Sequence, residues 1–216
     1  MLMFLRLSWS DSMKEKYVSK KTIKPYRDYF RQLMDKIRPS IKKEGISFTY
    51  KLVGSAKRNL VIEHHNKGFD CDYQIFISKN SCDLDEKAIK ELFIEKIDEY
   101  KSKEYHNCED STSAITLKKV NVDEAKIEFS YDIVILKEDK GNIFIIRRKN
   151  DNYHFEGLPD MKEHFINLKK IKGNEMWKKL RKIYYEKKMK HLNSKDDKKS
   201  FQILNEAVNE VLKISK

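Results

Sequence analysis

The sequence has few of the residues that interrupt or staple a chain: among 216 residues there are six glycines, three prolines and three cysteines. With no Ser/Gly-rich stretch and no internal repeat either, a flexible linker or a repeat array is excluded, and the elements should follow one another closely. Cys71, Cys82 and Cys108 form no C-x-x-C pair and leave an odd count, which argues against a zinc ribbon or a disulfide framework and for a reducing, cytoplasmic location. Long apolar runs are also missing. Residues 1–9 are apolar, but they are about half the length of a spanning helix, Arg6 interrupts them and no small-residue cleavage site follows. No membrane segment or export signal is expected.

What is present is charge. Lys+Arg 46 against Asp+Glu 34 gives a net charge of +12, and 37% of residues are charged, against roughly 25% in an average domain. Hydrophobic residues at 39% and aromatics at 11% still supply a core, so disorder is excluded. The excess of cations favours anionic partners without choosing a fold.

Pro25 suits a first helical turn, and Tyr26, Phe30, Leu33, Ile37 and Ile41 then recur at spacings of four and three, one apolar stripe running to Gly45. Pro39 is expected to kink that helix or split its end. Residues 47–53 read as a short strand, followed by Gly54-Ser55 and a polar loop through Gly68. Residues 69–78 alternate strictly, with Phe69, Cys71, Tyr73, Ile75 and Ile77 on one face and Asp70, Asp72 and Gln74 on the other. Asp83 and Glu86 resemble a capping box for a helix with the stripe Ile89, Leu92, Phe93, Ile97 and Tyr100. Residues 114–120, 126–136 and 142–148 read as strands, and 161–171, 174–191 and 200–213 as helices. This order gives an α+β fold with a sheet covered by helices on one side.

Asp70 and Asp72 project from one strand face about 6.5–7 Å apart, a gap that divalent cations bridge with oxygen ligands. In the run from Phe129 to Ile135 the apolar residues take one face and leave Asp132 on the other. If that strand lies beside the first, cross-strand neighbours about 4.5–5.5 Å apart make Asp132 the third member of an acidic cluster. Three such carboxylates repel one another and resist desolvation, and Mg²⁺ relieves both. Two ions about 3.5–4 Å apart would clamp the oxygens of an in-line phosphoryl displacement. Gly54 lets backbone N–H groups approach phosphate oxygens, Ser55 adds a hydroxyl, and Lys57, Arg58, Lys178, Lys179 and Arg181 are cations with triphosphate reach. Bland alternatives stand beside these readings: a plain turn at Gly54-Ser55, a solvated acidic face, a surface loop at His64-His65 rather than a zinc pair, and core roles for Cys71, Trp177 and Tyr184. The basic runs 14–24, 178–190 and 195–199 are solvated faces or a polyanion footprint.

Leu52-Val53-Gly54-Ser55, Phe69-Asp70-Cys71-Asp72-Tyr73 and Tyr131-Asp132-Ile133-Val134 resemble the hG[GS], Dx[DE] and late-strand Asp motifs of the DNA polymerase β-like nucleotidyltransferase superfamily. The segment is most similar to the branch of oligoadenylate synthases, cyclic GMP-AMP synthase and bacterial signalling nucleotidyltransferases. The resemblance covers about residues 24–190, including the helix around Trp177. It implies a mixed sheet backed by helices, divided into an N-terminal basic segment (1–23), a catalytic core (24–158) and a C-terminal helical segment (159–216). It also implies that Asp70 and Asp72 hold two Mg²⁺ or Mn²⁺ ions, that Asp132 holds the catalytic one and helps activate the attacking hydroxyl, and that Gly54 and Ser55 hold a nucleoside triphosphate. The implied reaction is nucleotidyl transfer to a second nucleotide, an RNA end or a protein, with antiphage second-messenger synthesis as one form. The sequence departs from the family in a long 55–70 loop without its usual threonine, where Asn59 and Glu63 stand, and in a short helical lobe. A non-catalytic, basic nucleic-acid-binding module and a toxin-antitoxin-type interaction module are the alternatives.

Overall fold

The computed structural model describes residues 17–63, 68–194 and 198–214. The expectations placed on residues 1–16, on His64-His65 and on residues 195–197 lie outside these.

The first helix, α1 (Lys20–Lys43), opens earlier than its apolar stripe suggests, because the Ser19 side chain accepts the Thr22 backbone N–H at 3.0 Å and caps it. Pro25 and Pro39 both lie inside one continuous helix. Each removes a hydrogen bond to the carbonyl four residues back, at Lys21 and Asp35. Those residues and both prolines are exposed, so water serves the freed carbonyls and the helix is not split. Ile23, Phe30, Leu33, Met34, Ile37 and Ile41 form its buried stripe.

Strands β1 (Ile46–Leu52) and β2 (Phe69–Asn80) pair antiparallel, with a five-residue helix, α2 (Gly54–Arg58), between them. Helix α3 (Glu86–Tyr100) is capped by Asp85, which accepts the Ala88 N–H at 2.8 Å, and not by Asp83, which sits at φ 49° in the preceding turn. The chain continues through β3 (Glu109–Asp110), β4 (Ala114–Asn121), β5 (Lys126–Asp139), β6 (Asn142–Lys149) and β7 (Asn152–Gly157). β5 lies parallel to β2 and antiparallel to β4 in a seven-stranded mixed sheet of order β1-β2-β5-β4-β3, and β6 and β7 extend it from the far half of β5. The apolar face of β2 and β5 packs under α1 and α3 around a ladder of rings, including Phe30 stacked on Tyr73 at 3.6 Å and Tyr26 on Phe129 at 4.0 Å. A buried lysine, Lys90 of α3, pairs with Asp110 at 2.5 Å and donates to the Ser111 carbonyl at 2.7 Å, fixing the turn between β3 and β4.

The other sheet face is not bare, as coverage on one side would require. Helices α4 (Lys162–Lys170), α5 (Gly173–Leu192) and α6 (Ser200–Ile214) roof it across a cleft. Their apolar residues are seated on the segment read from sequence as a polar loop: Leu60 and Ile62 are buried among Leu180, Tyr184, Leu204 and Val208. Arg181 locks this arrangement by donating to the Asn59 carbonyl at 2.7 Å while stacking 3.9 Å over the Tyr17 ring.

Candidate active site

Strand pairing brings the three aspartates together. Asp72 of β2 stands directly beside Asp132 of β5, Asp70 follows two residues before Asp72 on the same face, and one carboxylate oxygen from each lies within 4.8 Å of the others. This is the convergence that alternation and adjacency predict. All three are half-buried at the floor of a cleft of about 1000 Å³ between the sheet and the C-terminal helices. Thr116, opposite Asp132 on β4, donates its hydroxyl to Asp132 Oδ1 at 2.7 Å and fixes that carboxylate.

Gly54 is dictated by the same carboxylates. It sits at φ 62°, and a Cβ there would lie 1.8 Å from Asp72 Oδ2, so only glycine lets α2 begin against the aspartate. The Val53 N–H donates to the Asp72 carbonyl at 2.9 Å, tying the turn to β2. Ser55, Lys57 and Arg58 line the cleft beside it. Arg58 is half-buried and donates to the Gly54 carbonyl at 2.9 Å.

Burial raises the carboxyl of Asp70, and the charge of Asp132 raises it further. Asp72 is pushed up to about 7, first by burial and then by Asp70 and Asp132, against the partial pull of Lys188 and Arg58. The site therefore carries more negative charge than its surroundings stabilise. All its donors are hard oxygens, so the residues present fit Mg²⁺ or Mn²⁺ rather than a soft metal.

Across the cleft, α5 contributes Lys188. Burial depresses its ammonium, while Asp70 and Asp72 favour its charged form, and its Nζ donates to Ser200 Oγ at 2.6 Å. Tyr184, one turn earlier, is buried with its phenol raised by burial and by the same two aspartates. Of the cations expected to reach a triphosphate, Lys57 and Arg58 line the cleft, and three do not. Lys178 is exposed and pairs with Glu175 at 2.8 Å, Lys179 is exposed outside the cleft, and Arg181 is committed to Asn59 and Tyr17. Lys188 and Thr116 were not singled out from sequence, yet a signal existed for the first. It falls on the Leu180–Tyr184 face of α5 at four-residue spacing, a lysine in an otherwise buried stripe. Cys71 is fully buried in the core, as expected, its thiol pushed up to about 12 by burial. Among the described residues, no helix is long and apolar enough to cross a membrane.

Neither a protein-family model nor a curated protein matches the sequence. Solved structures do. DncV of Vibrio cholerae in its GTP-bound form superposes with TM-score 0.63 at 12% identity, over 91% of this chain and 68% of that one; DncV is described as a cyclic AMP-GMP synthase and a prokaryotic cGAS homolog. DncV of Escherichia coli bound to 3'-deoxy GTP gives 0.60 at 12%, over 91% and 69%. The CD-NTase CdnG of Bradyrhizobium diazoefficiens in complex with GTP gives 0.50 at 12%, over 80% and 43%. At these identities the likeness is one of architecture, and on it the chain has the cGAS-like nucleotidyltransferase fold shared by DncV and CdnG.

Proposed function

We propose that the protein is a Mg²⁺- or Mn²⁺-dependent nucleotidyltransferase that binds a nucleoside triphosphate and passes its nucleotidyl group to a hydroxyl, releasing pyrophosphate. The observation that carries this reading is the convergence of Asp70, Asp72 and Asp132 within 4.8 Å at the floor of a cleft. A purely polyanion-binding module of net charge +12 gains nothing from three desolvated carboxylates. The GTP and ATP analogues bound by the structural neighbours support a triphosphate ligand.

In this reading Asp70 and Asp72 hold two metal ions and Asp132 holds one of them. Bound cations would neutralise the carboxylates and stabilise negative charge on the reacting phosphate. Gly54 and Ser55 cradle the donor triphosphate, and Lys57 with Arg58 and Lys188 neutralises its charge. The acceptor oxygen forms a bond to the α-phosphorus as the bond to the bridging α–β oxygen breaks. Pyrophosphate leaves, and the hydroxyl proton passes to Asp132, whose other oxygen is held by Thr116. The donor's supply and the three free cysteines favour a cytoplasmic setting. The form of the reaction proposed is synthesis of a nucleotide second messenger, a reading supported by the description of DncV as a cyclic AMP-GMP synthase, with antiphage defence as its proposed setting.

The test is incubation of the protein with labelled nucleoside triphosphates and Mg²⁺ or Mn²⁺, with and without RNA. Transfer or pyrophosphate release is expected, and it should fall at least about 1000-fold in Asp70→Ala. Equal rates in that variant, or no turnover under any condition, would overturn the reading.

A further inference from the structure

Helix α4 presents two contrasting faces. On the inner one His164 meets Asn205 of α6 at 2.8 Å, and Leu168 and Ile171 pack against the apolar cluster that α5 and α6 form. The outer one carries Phe165 and Ile166, which are 46% and 54% exposed. Among the described residues they are the only large apolar side chains exposed side by side; Tyr100, Val122 and Ile214 stand singly elsewhere in the chain. Helical spacing puts Lys162 one turn before this pair and Lys169 and Lys170 one turn after it, and Lys172 follows at the start of α5. Against these four lysines, residues 162–172 contain one acid, Glu163. Lys169 and Lys172 make no hydrogen bond or ion pair among the described residues, while Lys162 and Lys170 reach local partners, Asp160 at 3.3 Å and Asn167 at 2.8 Å. An aromatic and an aliphatic side chain held in water are unfavourable there, and a covering surface that tolerates the lysines relieves this.

We infer that the outer face of α4 docks on an anionic lipid bilayer, with Phe165 and Ile166 entering the interface and the lysines facing the headgroups. The face itself selects this occupant. A second copy of the chain, paired face to face, would set lysines against lysines. A folded acidic protein needs roughly 800 Å² per partner and a pocketed anchor, and two adjacent side chains on a nine-residue helix supply neither. A nucleic acid would use the lysines and leave Ile166 in water. A bilayer interface asks for less: protruding apolar groups and positive charge, with no hydrogen-bond register to match. Phe165 also lines the cleft, so docking sets the cleft beside the membrane surface. Such docking does not depend on nucleotidyl transfer.

The experiment is vesicle co-sedimentation of the full chain at low salt. Vesicles of phosphatidylcholine are compared with vesicles of one part phosphatidylglycerol to two parts phosphatidylcholine. Partitioning is expected to be at least about ten-fold stronger on the anionic vesicles and to fall steeply as salt is raised. Phe165→Ser combined with Ile166→Ser should weaken it about ten-fold or more, and Lys169→Gln combined with Lys170→Gln about ten-fold. Both double variants should melt within about 3 °C of the wild type, because the four side chains are exposed. Should the serine pair melt early, Ile166→Ser alone should still weaken partitioning about three-fold. Equal partitioning on the two vesicle types, or none on either, would overturn the inference. It also fails if the serine pair leaves vesicle binding unchanged while the glutamine pair weakens binding to vesicles and to a single-stranded oligonucleotide alike, which would make the face a general polyanion footprint.

Discussion

Asp72 makes the stability of the metal-free protein depend on pH. Its carboxyl titrates near 7 in the folded chain against a usual 3.8. The folded state therefore holds a proton that the unfolded state releases. The stabilisation is complete below about pH 4 and is lost as pH rises through 7. Thermal denaturation in EDTA should show the melting temperature falling between pH 5 and pH 8, and Mg²⁺ should restore it at pH 8. Asp72→Asn should flatten the pH profile and remove most of the Mg²⁺ effect. A melting temperature that rises with pH in EDTA would contradict this account. Gly54→Ala tests the neighbouring constraint. A left-handed backbone and a Cβ forced against Asp72 Oδ2 predict a loss of about 2 kcal/mol or more in urea denaturation, with transfer activity abolished.

Strand β4 acts on the site through one hydroxyl. Thr116→Val keeps the shape of the side chain and removes the bond to Asp132, so kcat should fall about ten-fold while unfolding free energy changes by about 1 kcal/mol or less. A loss in KM alone would assign Thr116 elsewhere. The strands were legible because their alternation is strict: the face assignments of Phe69 to Ile75 and of Phe129 to Ile135 match the buried residues, and Ile77 is half-buried against the same core. The turns were less legible. β7 escaped notice because its hairpin from β6 uses Asn150 and Asp151, both left-handed at φ 50° and 62°, without the glycine that usually marks such a turn. The start of α3 shifted from Asp83 to Asp85 because two acidic candidates stood within three residues and only one reaches the Ala88 amide. The 55–70 stretch read as polar because its longest apolar run is only Leu60 to Ile62, and what buries Leu60 and Ile62 lies more than 100 residues away in α5 and α6.

The whole molecule is two apolar clusters facing each other across a charged cleft, one under α1 and α3, the other within the C-terminal helices. Arg181 is a principal clasp of the second cluster, bonded to Asn59 and stacked on Tyr17. Arg181→Ala should lower unfolding free energy by about 1–3 kcal/mol and, by loosening the helix that carries Lys188, should also raise the apparent Kd for triphosphate. An unchanged Kd beside the expected destabilisation would separate the clasp from the cleft. The pairing of Asp72 with Asp132 has a further consequence, for they stand on parallel neighbours sixty residues apart in sequence. No local hairpin can bring them together, and the intervening crossover must close first. A chain cut or stalled before β5 therefore has no acid cluster at all, and on the proposed reading an unfinished copy is inert toward nucleotides.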